Sequence, residues 1–394
     1  MKSEYSMNTN LLHSNRTIQG MSLLPETFPL FATVAFSQKN MSDVKRAYAE
    51  KQYTYVRTRN PNRRVLADAI SLLEKSEETF AAASGMGAIF ATLFALADKG
   101  DHVLCSKELY GETYEIMTQI MPRFGIEAEM ISFQDLDSVA KHMKPNTKVV
   151  YTEIASNPCI QLTDIEGLAK IAHENGAYLV VDNTFSSPVN VQPLELGADI
   201  SINSLTKFLN GHSDALGGSA SGSKELIEKI TFVGKLTGVP ITPSDAWMIY
   251  RGLQTAEIRI KKQTENAAKL AKALESNPHV EKVYHPSLES HPQRELAKKQ
   301  FDENGGTAML SFIIPEDEEK IDLFMERLNL AKYAMTLGGL RTTLSHPCTS
   351  SHHSLPDSER RALGITPGMF RLSVGLEDID DLIADFENAL KAFD

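Results

Sequence analysis

Apolar positions along this chain fall into two alternating rhythms. Val65, Leu66, Ile70, Leu72 and Leu73 keep near-helical spacing, and Asn60-Pro61 ahead of them supplies an N-cap and a first-turn proline. Short apolar runs at residues 79–83, 102–105, 148–154, 177–182 and 199–203 read as strands. Helical patterns lie between them. One runs through Leu96 after Ser84-Gly85-Met86-Gly87-Ala88, and another covers 164–174 and is closed by Asn175-Gly176. Strands alternating with helices predict a mainly parallel sheet with helices on both faces, an α/β class. Residues 1–56 lack a sustained period and read as an extended arm with one or two helical turns. Thr237-Gly238-Val239-Pro240-Ile241-Thr242-Pro243 reads as a hinge. A long helix over 256–275 then bridges to a smaller α+β unit, with strands at 307–313 and 370–374, a helix at 318–328 and a closing helix from Asp378. The expected division is an arm over 1–56, a large domain over 57–250 and a C-terminal domain over 251–394.

Composition narrows the function classes. At 394 residues, 42% hydrophobic and 23% charged, the chain has an ordinary globular balance. A formal net charge of -11 argues against a general affinity for nucleic acid or an anionic membrane surface. No apolar run approaches spanning length, and the first twenty residues lack the apolar middle of a secretion signal. Cys105, Cys159 and Cys348 are widely spaced and form no C-x-x-C pair, so the expectation is a cytoplasmic protein with reduced thiols. His346, Cys348, His352 and His353 cluster in sequence, but their spacing fits no standard zinc site, and no metal is expected.

Three features fall at the carboxyl ends of predicted strands, where open α/β sheets place their ligands. Ser84-Gly85-Met86-Gly87 joins a strand to a helix, and free N–H groups there suit a phosphate. The same small residues also serve plain packing of a tight turn. Asp182 ends a buried strand, where a carboxylate either caps the next turn or holds a pyridine nitrogen protonated. Lys207 follows Ser204-Leu205-Thr206. A lone lysine is ordinarily solvated, but one flanked by two hydroxyls just past a strand suits a Schiff base beside a bound phosphate. Together these residues point to pyridoxal 5′-phosphate (PLP), with Lys207 on the aldehyde and Asp182 on the ring. The G-x-G-x-x-G fingerprint of nicotinamide enzymes is absent.

Asn203-Ser204-Leu205-Thr206-Lys207, followed by Gly211-His212 and Asp214, resembles the lysine signature of the Cys/Met metabolism PLP-dependent family. Further landmarks occur in order: Tyr55-Val56-Arg57, Asn60-Pro61, Ser84-Gly85-Met86, Tyr110-Gly111, Asn157-Pro158, Asp182-Asn183-Thr184 and Arg371-Leu372-Ser373-Val374-Gly375. The resemblance implies PLP fold type I and a small-molecule amino-acid substrate. Lys207, Tyr110 and Asp182 would be catalytic: the proton shuttle, the ring-stacking acid or base, and the partner of the ring nitrogen. Gly85, Met86, Ser204 and Thr206 would hold the phosphate. Tyr55 and Arg57 would reach it from a neighbouring subunit, which makes the arm an intersubunit element and a homotetramer of dimers the expected assembly. Arg371 would clamp the substrate carboxylate, helped by Asn157 and Thr336. The expected reaction is γ-elimination on methionine, homocysteine or cystathionine. The alternatives are γ-replacement on an O-acylhomoserine, cystathionine β-elimination and, from another class, a PLP-fold binding protein with little turnover. Two positions depart from the pattern: Glu112 stands where methionine γ-lyases usually carry cysteine, and Arg341 where the family commonly has glutamate. Arg341 would favour an anionic distal group on the substrate or pair with Glu112.

Overall fold

The computed structural model describes residues 5–14, 25–351, 353 and 356–394. Seven strands make the larger sheet: β1 (Glu78–Ala82), β2 (His102–Ser106), β3 (Glu127–Ile131), β4 (Thr147–Glu153), β5 (Tyr178–Asp182), β6 (Ile200–Asn203) and β7 (Gly218–Gly222). Their spatial order is β1-β7-β6-β5-β4-β2-β3, and β7 alone runs antiparallel to its two neighbours. Alternate strand residues feed opposite faces. Leu179 and Val181 pack with Leu66 and Ile70 of helix Pro61–Glu74 and with Leu168 of helix Ile165–Glu174. Val180, Val149 and Tyr151 pack on the other side with Ile89 and Leu93 of helix Gly85–Leu96 and with Ile227 and Ile230 of helix Lys224–Thr237. A sheet covered on both faces needs the continuous apolar strands that the sequence carries.

The local signals act as their chemistry requires. Asn60 caps helix Pro61–Glu74 by accepting from Asn62 N, and Asp164 caps helix Ile165–Glu174 by accepting from Gly167 N. The segment read as a hinge is instead tied to the sheet. Gly238 ends helix Lys224–Thr237 in the left-handed conformation, after which Ala83 N donates to Val239 O and Ile241 N to Ala81 O. These bonds cover the free edge of β1, where a proline such as Pro240 is tolerated.

The second sheet has order β10-β11-β12-β9-β8, from β8 (Lys282–Tyr284), β9 (Met309–Ile313), β10 (Lys332–Tyr333), β11 (Thr343–Ser345) and β12 (Met369–Ser373). Phe312, Phe324, Phe370 and Phe386 form its aromatic core beneath helices Glu318–Arg327 and Ile379–Leu390. Helix Ala256–Glu275 joins the two units, as the sequence pattern predicts. Its buried Arg259 donates to the carbonyls of Phe208 at 3.0 Å and Gly252 at 2.9 Å, which fastens the helix to the chain after Lys207. Among the described residues, no helix is long and apolar enough to cross a membrane.

Candidate active site

The carboxyl ends of β1, β6, β5 and β4 deliver the site. Ser84 caps helix Gly85–Leu96 through Gly87 N at 3.0 Å, leaving the first-turn amides of Gly85 and Met86 without intrahelical acceptors. Opposite them stands Ser204. A Cβ on Gly85 would lie 3.0 Å from Ser204 Cβ and 3.2 Å from Ser204 Oγ, so only glycine leaves room between turn and loop. Ser204 N donates to Thr184 Oγ1 at 2.8 Å, while its own hydroxyl stays free of other partners among the described residues. Thr206 is differently placed. Its hydroxyl donates to Gly217 O at 3.2 Å and accepts from Gly217 N at 3.1 Å.

Asp182 ends β5, and its Oδ1 accepts from Thr184 N at 2.9 Å. Burial raises its pKa, and the Thr184 hydrogen bonds oppose the rise. Thr184 therefore links Asp182 to the Ser204 backbone, a connection that separate motifs do not reveal. Lys207, half-buried, makes no hydrogen bond through its ammonium among the described residues. Burial first, and then the charge of Arg371, push it below the ordinary lysine range, while Glu112 pulls the other way. Tyr110 precedes helix Gly111–Glu115 and is partly exposed. Burial, and then a hydrogen bond to Glu112, push its phenol upward.

The substrate-side residues come from both units. Arg371 on β12 is 8% exposed, and its Nη1 donates to Asn157 Oδ1 at 2.9 Å. Its Nε is buried without a partner, and burial lowers its pKa to about 10. Thr336 opens a loop that returns to the same strand: Gly338 N donates to Ser373 Oγ at 2.8 Å, and Gly338 abuts the Phe208 backbone. Lys207, Arg371 and the 336–341 loop thus meet.

Tyr55 and Arg57 are not brought to the cradle of their own chain. Both are exposed, Arg57 Nη1 donates to Lys235 O at 2.8 Å, and its guanidinium lies 5.7 Å from the Tyr55 ring centroid. Arg341 is exposed and makes no ion pair with Glu112 among the described residues, so the pairing alternative is not what the structure adopts. The histidine-cysteine cluster is partly outside the described residues, at His352. His346 Nε2 lies 2.7 Å from Pro367 O, and Cys348 Sγ donates to Thr366 O.

Two first-turn amides opposite a hydroxyl without other partners among the described residues, a carboxylate at the next strand end and a lysine made less basic by burial fit PLP. Fold and site define a fold type I PLP enzyme. The chain belongs to the family described as Cys/Met metabolism PLP-dependent enzyme, which it matches over residues 8–391. It is similar to an L-methionine gamma-lyase of Fusobacterium nucleatum subsp. polymorphum, 40% identical over 391 residues and 98% of each chain. A cystathionine gamma-lyase of Bacillus subtilis is 42% identical over 340 residues, 86% of this chain and 89% of that one. Among solved structures, a cystathionine gamma synthase from Xanthomonas oryzae pv. oryzae, in complex with aminoacrylate and cysteine, superposes with TM-score 0.92 at 30% identity over 98% of each chain. A protein assigned as an O-acetylhomoserine (thiol)-lyase from Campylobacter jejuni, containing N'-pyridoxyl-lysine-5'-monophosphate, gives 0.90 at 30% identity over 98% of this chain and 100% of that one. The protein is a PLP-dependent lyase.

Two residues escaped the sequence reading: Thr184, present in a quoted motif but without a role, and Glu153, hidden as the last residue of an apolar strand.

Proposed function

We propose that the protein performs γ-elimination on a sulfur amino acid (methionine, homocysteine or cystathionine), taking up water and releasing 2-oxobutyrate, ammonia and a thiol. One observation carries this reading: Arg371, aimed by Asn157, acts on both Lys207 and Tyr110, and the Tyr110 backbone is bonded to Glu153, which stands opposite Asp182 on the neighbouring strand. Arg371, with Asn157 and Thr336, binds the substrate α-carboxylate; a guanidinium fork matches that group. The Gly85 and Met86 amides and the Ser204 hydroxyl would hold the cofactor phosphate, the Thr206 hydroxyl would join them only on leaving Gly217 O, and Asp182 would serve the ring nitrogen. Bound there, PLP supplies an electron-withdrawing aldehyde and ring that acidify the substrate Cα–H. Lys207, made less basic by burial and Arg371, takes up the Cα proton and returns protons along the carbon chain. Tyr110 gives its phenolic proton to the departing sulfur.

The working assembly in this reading is a homotetramer of dimers, in which the arm over 1–56 and Tyr55 and Arg57 serve the neighbouring subunit's phosphate. Support comes from the exposure of both side chains and the engagement of Arg57 with Lys235. The large domain over 57–250 and the C-terminal domain over 251–394 belong to the same proposal. Three free, buried cysteines support a cytoplasmic setting.

A second reading, β-elimination from cystathionine, is supported by similarity to a cystathionine beta-lyase of Lactococcus lactis subsp. cremoris, 36% identical over 391 residues. The deciding experiment incubates the protein with methionine, homocysteine, cystathionine and O-acetylhomoserine, each with and without cysteine. Rapid 2-oxobutyrate from a thioether alone is expected. Pyruvate from cystathionine would establish the second reading, and product only when an acylated homoserine meets a thiol would make the protein a synthase.

A further inference from the structure

Beside Asp182, at the same edge of the sheet, sits a second carboxylate that the mechanism above leaves idle. Glu153 is the last residue of β4, and β4 and β5 run parallel with Glu153 opposite Asp182. Residues opposed in a parallel pair project to one face, so both carboxyls occupy the floor of the site. Glu153 is 8% exposed. Its Oε1 accepts the backbone N–H of Tyr110 at 2.6 Å, across 43 residues of sequence. Its carbonyl is held from behind by the Thr163 hydroxyl at 2.9 Å and the Thr152 hydroxyl at 3.1 Å. An acid at the end of a buried strand meets a heavy desolvation cost unless it has a task.

That task is visible in what Tyr110 lacks. The residue precedes a helix of only five residues and caps it with no side-chain hydrogen bond. Among the described residues, Gly111, next in the chain, has only Ser351 O, at 3.9 Å, near where a Cβ would stand. The Glu153 carboxyl is therefore the polar tether that joins the Tyr110 backbone to the rigid sheet.

Resting on the PLP reading of the site, we propose that Glu153 is a positioning residue, which fixes the Tyr110 backbone and thereby sets where the phenol stands relative to Lys207. Burial first, and then the neighbouring Asp182 charge, hold the Glu153 carboxyl well above the usual carboxylate range. A neutral acid still accepts the Tyr110 N–H through its carbonyl oxygen, though less strongly than an ionised one, and it leaves Asp182 as the charged partner for the ring.

Reach and acidity separate in two substitutions that preserve polarity and so the fold. Glu153→Gln keeps an acceptor oxygen at the same reach and removes the acid. Glu153→Asp keeps the acid and falls one methylene short of Tyr110 N. The PLP-loaded variants are compared by kcat and KM on cystathionine and methionine, and by the visible circular dichroism of the bound cofactor, which reports ring seating without turnover. The Gln variant should stay within about threefold of wild type in kcat with its dichroism retained. The Asp variant should lose about tenfold or more in kcat with KM changed by less than about threefold, since small misplacements of a catalytic group cost rate. Its dichroism should fall as well. Any other ordering overturns the inference: an unaffected Asp variant, a Gln variant as damaged as Asp, or one more damaged than it. Wild-type protein that forms no visible absorbance with PLP would instead refute the underlying reading, and the two failures are distinct.

Discussion

Arg371 offers the sharpest test, because its two consequences have opposite signs. The guanidinium is almost fully enclosed, donates to Asn157 Oδ1 at 2.9 Å and leaves Nε without a partner. A buried cation served, among the described residues, by a single acceptor destabilises the empty protein, and burial lowers its pKa to about 10 against the opposing pull of Tyr110 and Tyr333. A substrate carboxylate supplies what is missing, as a charge-assisted pair of hydrogen bonds each worth about 1.5–3 kcal/mol. Arg371→Lys keeps the charge and loses the fork, one such bond, which at about 1.4 kcal/mol per tenfold lowers kcat/KM by roughly 10- to 150-fold. Arg371→Met removes charge and fork at similar volume and should lose about 3–5 kcal/mol, on the order of a thousandfold. Without substrate or cofactor, that same variant should melt at or above the wild-type temperature, because an under-satisfied charge has been replaced by packing. The assay compares whichever sulfur amino acid the wild type turns over with its α-carboxamide. Wild type should prefer the acid strongly, and Arg371→Met should treat the two alike. A Met variant that keeps the wild-type preference would refute the carboxylate role. A lower melting temperature would refute the claim that the empty site holds a costly charge.

Other outcomes follow from the same geometry. Lys207→Ala should abolish both turnover and the visible absorbance given by lysine and PLP while leaving far-ultraviolet dichroism unchanged; a near wild-type rate would end the assignment. Gly85→Ala places a Cβ 3.0 Å from Ser204 Cβ, and overpacking of about 1–3 kcal/mol should weaken PLP binding roughly ten- to a hundredfold in an equilibrium titration. Glu74, fully enclosed with Ser201 and Asn203 as partners, is raised by burial from 4.5 to about 7 against the pull of those two bonds. Between those values the unfolded chain is ionised and the folded one is protonated, so unfolding releases a proton. Stability therefore falls by about 3 kcal/mol as pH rises through this window and levels above it. Glu74→Gln keeps the acceptor oxygen and should flatten that slope relative to wild type in melting curves; parallel curves would refute it.

Much of this was readable before any coordinates, for a physical reason. Strands covered on both faces must be continuously apolar, which exposed β2, β4, β5 and β6 and with them Asp182 and Lys207 at their carboxyl ends. Two strands of the larger sheet escaped. β7 is Gly-Ser-Ala-Ser-Gly, without an apolar signal, and β3 is a short edge strand with glutamates at its first and third positions. The false hinge at 237–243 came from reading Gly238, Pro240 and Pro243 as punctuation, whereas a sheet edge accepts proline. Glu153 stayed hidden because its partner is a backbone N–H 43 residues away, which no local pattern announces. The places of Asp182 and Lys207 in the fold were legible, and the bonds that hold their neighbours in register were not.

The strand order explains why those bonds exist. Along the carboxyl edge the sheet presents the Ser84–Gly87 turn after β1, Ser204 after β6, Asp182 on β5 and Glu153 on β4. On the proposed reading, this sequence would offer amides and then a hydroxyl to the phosphate, a carboxylate to the ring and, last, a tether to Tyr110. Between β1 and β6 lies β7, which must let the phosphate turn approach the Ser204 loop. A Cβ on Gly218 would stand 2.2 Å from Ser84 O, so β7 gives up side chains where the others carry them. The weakest strand in the sequence is therefore the one that closes the cradle. Adjacent strand ends in register are linked through Thr184 and through Glu153, so that a shift of one group is resisted by its neighbours. Arg371 approaches from the second sheet, and its strand and Lys207 are joined by the 336–341 loop. On the proposed reading, substrate held at Arg371 would thus be oriented by one unit toward groups fixed by the other. The departures at Glu112 and Arg341 touch this web: Glu112 acts on Tyr110 and Lys207, and Arg341 ends the 336–341 loop, so a change at either alters the surroundings of the reacting groups while leaving the Ser84–Gly87 turn and Ser204 in place.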